Sequence, residues 1–155
     1  MALLDYSEPY LTSKHFCFGT GDFAPRRVRA FEPGESSSET LLLTKLGRNG
    51  LRRWQYLRET FSGGWGERGQ KPLSPKSQAI FLTTLKTIQF LPGAKPSLFL
   101  TDDGHLELAW RDADGKAIQI EFGPAESEIY HESSGYEEIV PNRELPDIVS
   151  DRLNA

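Results

Sequence analysis

The sequence predicts an α+β fold, an antiparallel β-meander packed against two α-helices, as a single domain over residues 1–155. Three observations lead there. Residues 97–131 alternate apolar and polar side chains and are interrupted by glycine-bearing turns, the pattern of strands with one buried and one wet face. Two stretches before them space their apolar residues at helical intervals. A chain of 155 residues, 37% hydrophobic and 26% charged, can bury a core without covalent staples, which sets it apart from disordered chains.

The elements follow in order. Residues 1–45 read as an irregular part with short strands, such as the apolar run His15–Phe18 before Gly19 and Gly21. Leu41–Leu43 is too short to divide between strand and helix. The first helix is expected from Gly50 to Phe61, where Leu51, Trp54, Leu57 and Phe61 form one apolar stripe. Arg48, Arg52, Arg53 and Arg58 surround that stripe, and Gly63 and Gly64 stop the helix, because glycine accepts the left-handed conformation. In the second helix Ser74 is a natural cap and Pro75 fits the first helical position, where its missing N–H costs nothing. Ile80, Phe81, Leu85 and Ile88 give its buried face, and Pro92 with Gly93 ends it.

Strands are expected at Ser97–Thr101, His105–Trp110, Ala117–Phe122 and Glu128–His131, a meander of three or four. Leu106, Leu108 and Trp110 share one face with the in-phase set Ile118, Ile120 and Phe122. Asp102–Gly104 and Asp112–Gly115 read as turns rather than cation sites, since their spacing lacks a full calcium loop. Residues 133–155 read as an acidic, proline-broken tail, partly flexible or adding an edge.

From Trp54 to Tyr130 the chain carries a composite motif. It consists of Gly64, Trp65 and Gly66, then Ser74 and Pro75. Pro96, Ser97, Thr101, Asp103, Gly104, Leu108, Trp110 and Tyr130 complete it. In this respect the chain resembles a group of small uncharacterised bacterial proteins, with a Gly-Trp-Asp-Gly-like loop and no assigned activity. The resemblance covers about half the chain and implies a fold pattern more than a function. It also implies a loose association with toxin–antitoxin and mobile-element gene neighbourhoods. Two acidic positions of the group are Gly66 and Ala109 here, which argues against carboxylate chemistry at that place. A loop tryptophan in such a pattern reads as a packing anchor over the sheet, with an exposed contact residue as the rival.

Composition excludes several classes. The single cysteine, Cys17, cannot form an internal disulfide. With His15, His105 and His131 it lacks the paired spacing of a metal site, so no metal and no cofactor is expected. No nucleophile elbow, phosphate-binding loop or dinucleotide loop is present. The N-terminus lacks the features of a signal peptide and no apolar run is long enough to span a bilayer, so a cytoplasmic protein without a membrane partner is expected.

Charge is uneven. Residues 1–73 hold 11 Lys/Arg and 8 Asp/Glu, giving +3; residues 74–155 hold 7 and 14, giving -7. The expectation is a non-catalytic protein-interaction module, antitoxin-like, inhibitory or accessory, whose partner is another protein. Its expected contacts are Arg48, Arg52, Arg53 and Arg58, the Trp65 loop, and Glu126, Glu128, Glu137 and Glu138. One alternative is nucleic-acid binding through the arginine-rich helix, where Trp54 and Tyr56 interleave and Arg26, Arg27 and Arg29 precede. Another is a small hydrolase-like enzyme using His105, His131, Glu107 and Glu121 on the wet sheet face. An exposed sheet edge would suit a homodimer.

Overall fold

The computed structural model describes residues 37–63 and 70–153. His15, Cys17, Arg26, Arg27, Arg29, Trp65 and the glycines beside that tryptophan lie outside the described residues, and so do the readings attached to them.

Helix α1 runs Ser37–Phe61. It starts well before the expected Gly50 and takes in Leu41–Leu43, so the irregular part does not extend to residue 45. The helix is broken at Gly47, whose φ of 70° and ψ of -174° only glycine adopts readily. Two limbs result. Leu42 and Leu46 bury the first; Leu51, Trp54 and Leu57 bury the second, and Phe61 packs on the core margin. Helix α2 spans Pro75–Leu85. The Ser74 hydroxyl accepts from the Ser77 N–H at 3.3 Å, as its cap position predicts. The helix stops at Leu85, ahead of Pro92 and Gly93.

The strands are β1 (Ser97–Leu100), β2 (Leu106–Arg111), β3 (Ala117–Phe122), β4 (Glu126–His131) and β5 (Tyr136–Pro141), antiparallel in that order. The fold is therefore α+β with an antiparallel meander, as the alternation predicts. The meander has five strands rather than three or four. Residues 133–155 are not simply a tail: they supply the edge strand β5 and helix α3 (Leu145–Arg152). Acidic composition concealed the strand, because β5 is an edge with only Val140 buried, and its glutamates stay wet.

One sheet face carries Leu98, Leu106, Leu108, Trp110, Ile118, Ile120, Phe122, Ile129 and Val140 into the core, where Phe81, Leu85, Ile88, Leu145 and Val149 meet them. Phe81 and Phe122 touch edge to face at 5.4 Å between centroids. Burying one such aromatic contributes about 1.5–3 kcal/mol. Buried Ser77 accepts from the Leu106 N–H at 2.8 Å, which ties α2 to β2 and satisfies both polar groups.

Four of the motif residues, Ser74, Thr101, Asp103 and Gly104, take part in a clasp. Gly104 has φ of 78°, and a Cβ there would come within 2.1 Å of the Pro72 carbonyl oxygen. The segment entering α2 therefore lies directly on the β1–β2 turn. Lys71 N–H donates to the Asp102 carbonyl at 2.9 Å, Ser74 N–H to the Gly104 carbonyl at 2.8 Å, and Lys71 Nζ meets Asp103 at 2.8 Å. Thr101 Oγ1 accepts from the His105 N–H at 3.2 Å inside the same turn. Asp103 and Gly104 thus join helix entry to sheet, and Thr101 braces the turn that carries them.

Candidate functional site

The second face of the sheet collects the acidic residues. Side chains alternate along each strand, so the residues between the core positions all point the other way. Register then aligns them across strands: Phe99 opposite Glu107, Glu107 opposite Glu121, Glu121 opposite Glu128, and Glu128 opposite Ile139. Three glutamates stand side by side, capped at the two sheet edges by Phe99 and Ile139. The parallel row is Ser97, Ala109, Gln119, Tyr130 and Glu137, and Glu126 lies on the same face opposite Pro141. Apart from Ala117, this face is exposed or half-buried throughout, and Ile139 is 65% exposed.

Like charges directly opposite each other on neighbouring strands destabilise a sheet. Glu107, in the middle of β2, is affected most. Burial pushes its carboxyl above the ordinary glutamate range, and the charges of Glu121 and Glu128 push it the same way. Glu121 has partial relief, because His105 Nδ1 lies 2.8 Å from its Oε1 and Thr101 Oγ1 lies at 3.5 Å.

The expected contact residues divide. Glu126, Glu128 and Glu137 share the open face, joined by Glu107 and Glu121. Glu138 does not: it sits opposite Ile129 on the core-facing side, where Arg152 of α3 reaches it at 3.3 Å and also donates to the Tyr136 hydroxyl at 2.6 Å. The four arginines do not form one basic face. Arg48 and Arg52 are exposed. Arg53 is half-buried, and its Nε donates to the Leu98 carbonyl at 3.1 Å, covering the β1 edge. Its pKa is drawn below the usual value by burial, with Tyr56 opposing. The Arg58 guanidinium carbon lies over Trp54, 4.3 Å from the ring centroid.

The four residues of the hydrolase-like alternative also divide. His105, Glu107 and Glu121 come together on the open face. His131 is on the other face, paired in register with Ile118, and its Nε2 lies 3.2 Å from Asp112 Oδ2. Asp112 belongs to a structural knot. Its Oδ1 accepts from the Asp114 and Lys116 N–H groups, both at 2.9 Å, and its Oδ2 accepts from the Ser133 hydroxyl at 2.8 Å. These hydrogen bonds hold its pKa at about 2 against an opposing desolvation effect. The knot fastens the β2–β3 hairpin to the turn between β4 and β5. Among the described residues no group of three or more His, Cys, Asp or Glu is arranged to hold a metal ion. No described helix is long and apolar enough to cross a membrane.

Comparison with protein-family models, with curated proteins and with solved structures finds no match to this chain. The arrangement of its own residues therefore carries the functional argument.

The sequence reading named Glu107 and Glu121 only within the hydrolase-like alternative and Glu126, Glu128 and Glu137 as partner contacts, and missed that they share a surface. The signal was present. With turns fixed at Asp112–Gly115 and Gly123–Pro124, strand register places Glu107, Glu121 and Glu128 in one row.

Proposed function

We propose that this chain is a non-catalytic protein-interaction module whose open sheet face docks a basic protein surface. The observation that carries the reading is the row Glu107–Glu121–Glu128, flanked by Glu126 and Glu137 and ended by apolar Phe99 and Ile139. A row of like charges costs the free sheet stability, and a partner's lysines and arginines would relieve that repulsion on binding. The apolar ends add contact area of the kind that excludes water around charged pairs. An inhibitory, antitoxin-like or accessory role is consistent with such chemistry, since covering a basic surface blocks whatever that surface binds. The dispersal of the arginines weighs against nucleic acid as the partner: Arg53 is committed to the β1 edge and Arg58 to Trp54. The separation of His131 from His105 and Glu121 weighs against the hydrolase-like alternative.

The test is affinity capture from native lysate, followed by binding measurements with the captured protein in purified form. The expected partner is basic, binds stoichiometrically and loses affinity as salt rises. The combined change Glu121→Gln, Glu128→Gln and Glu137→Gln should abolish capture, while Arg48→Glu with Arg52→Glu should leave it intact. A partner kept by the glutamine variant and lost by the arginine variant would move the contact to α1 and overturn the proposal.

A further inference from the structure

The break at Gly47 folds the limbs of α1 against each other, so that Gln55 Nε2 donates to Glu39 Oε1 at 3.3 Å. Beside them, reaching α2, is a recess of about 430 Å³ lined by Glu39, Gln55, Arg58, Glu59, Ser62 and Gln78. The volume falls within the ~300–1,000 Å³ of small-molecule sites, yet every described lining residue is polar. Such walls suit a small, strongly polar ligand rather than an apolar one.

Arg58 is the distinctive member. Its guanidinium carbon lies 4.3 Å from the ring centroid of Trp54, which is only 3% exposed, a cation–π contact that holds the head group beside the recess. Among the described residues neither Arg58 nor Glu59 has an ion-pair partner, so a ligand would not have to displace one. Glu39 keeps acceptor capacity beyond its one bond from Gln55. Among the described residues the charged lining is one guanidinium and two carboxylates, a net charge of -1.

We propose that this recess binds a free basic α-amino acid. Arg58 receives the carboxylate as a two-pronged donor. Glu39 and Glu59 receive the α-ammonium and the side-chain cation, and Gln55, Gln78 and Ser62 supply neutral hydrogen bonds. A ligand with one negative and two positive groups matches the lining in number and sign. A simple diamine would leave Arg58 facing a cation, and a simple anion would face two carboxylates. The site is separate from the acidic sheet face and stands or falls independently of it.

The test is calorimetry on the full chain with four probes: L-lysine, L-arginine, cadaverine (lysine without its carboxylate) and L-norleucine (no side-chain cation). Lysine or arginine should bind, and cadaverine and norleucine should each be weaker by about tenfold or more, the loss of one charge-assisted contact. Arg58→Ala and Glu59→Gln should each cost about tenfold in affinity, while Arg52→Ala, outside the recess, should cost nothing. Circular dichroism checks that each variant is folded. Should Arg58→Ala unfold through loss of its cover over Trp54, the exposed Glu59→Gln decides. Absence of binding by both amino acids overturns the proposal, as does equal binding of cadaverine or unchanged affinity in Glu59→Gln.

Discussion

On one face of the sheet Leu108, Ile120 and Ile129 stand in line across three strands; one residue along, on the other face, Glu107, Glu121 and Glu128 do the same. The backbone is common to both rows. The aliphatic row is fully buried, with each member adding to the core. The glutamate row does the opposite at Glu107, whose charge is desolvated by burial and further opposed by the charges of Glu121 and Glu128. The difference teaches that two rows on one backbone can differ in sign: the aliphatic row builds the core, while the glutamate row carries a cost in its middle strand.

The largest effect should come from the buried row. Ile120→Ala removes a fully buried side chain from the middle strand and should lower stability by about 2–5 kcal/mol in urea unfolding. Its neighbour Glu128→Ala, on the exposed face, should change stability by less than about 1 kcal/mol. Equal losses at the two positions would erase the contrast between the faces.

Next in size is the clasp that seats α2 over the apolar face. Gly104→Ala meets a positive φ and the Pro72 carbonyl together, and should cost about 2 kcal/mol or more. Gly115→Ala, also at positive φ but with open space around it, should cost only about 1–2 kcal/mol. A thermal-melt comparison of the pair isolates the close approach from the backbone conformation.

A smaller effect separates two adjacent arginines. Arg53→Ala uncovers the Leu98 carbonyl and should cost about 1 kcal/mol, whereas exposed Arg52→Ala should stay within about 0.5 kcal/mol. Identical denaturation midpoints would show that Arg53 does not guard the β1 edge.

The smallest effect has the opposite sign. Glu107→Gln removes a charge from the row and should raise stability at neutral pH by some tenths of a kcal/mol, up to about 1. The pH dependence follows from the raised pKa. The folded protein holds the Glu107 proton to higher pH than the unfolded chain does. The penalty is therefore fully present above the folded pKa, and it fades as pH falls toward and below the ordinary glutamate value. The advantage of Glu107→Gln should shrink over the same range, as read from unfolding curves at successive pH values. An advantage independent of pH would mean that Glu107 does not repel its neighbours.

Much of this architecture was written locally. Period-two alternation fixes which residues of β2 and β3 share a face, because successive side chains must point to opposite sides. Ser74 and Pro75 mark the start of α2 because a cap hydroxyl and a missing N–H both suit a helix entrance. Gly104 and Gly115 mark turns because each needs a positive φ. Other features depend on partners distant in sequence. The long α1 was hidden by Gly47, which interrupts the periodicity that would have joined its limbs. The acidic β5 acquires its strand identity by pairing with β4. Whether an arginine stands exposed, as Arg52 does, or is committed, as Arg53 is, turns on which carbonyl the fold brings beside it. The assembly of Glu107, Glu121 and Glu128 into one row, and of Glu39, Arg58 and Glu59 around one recess, was likewise decided by tertiary structure. Local chemistry sets the direction a side chain takes from its own backbone, and only packing sets what it meets there.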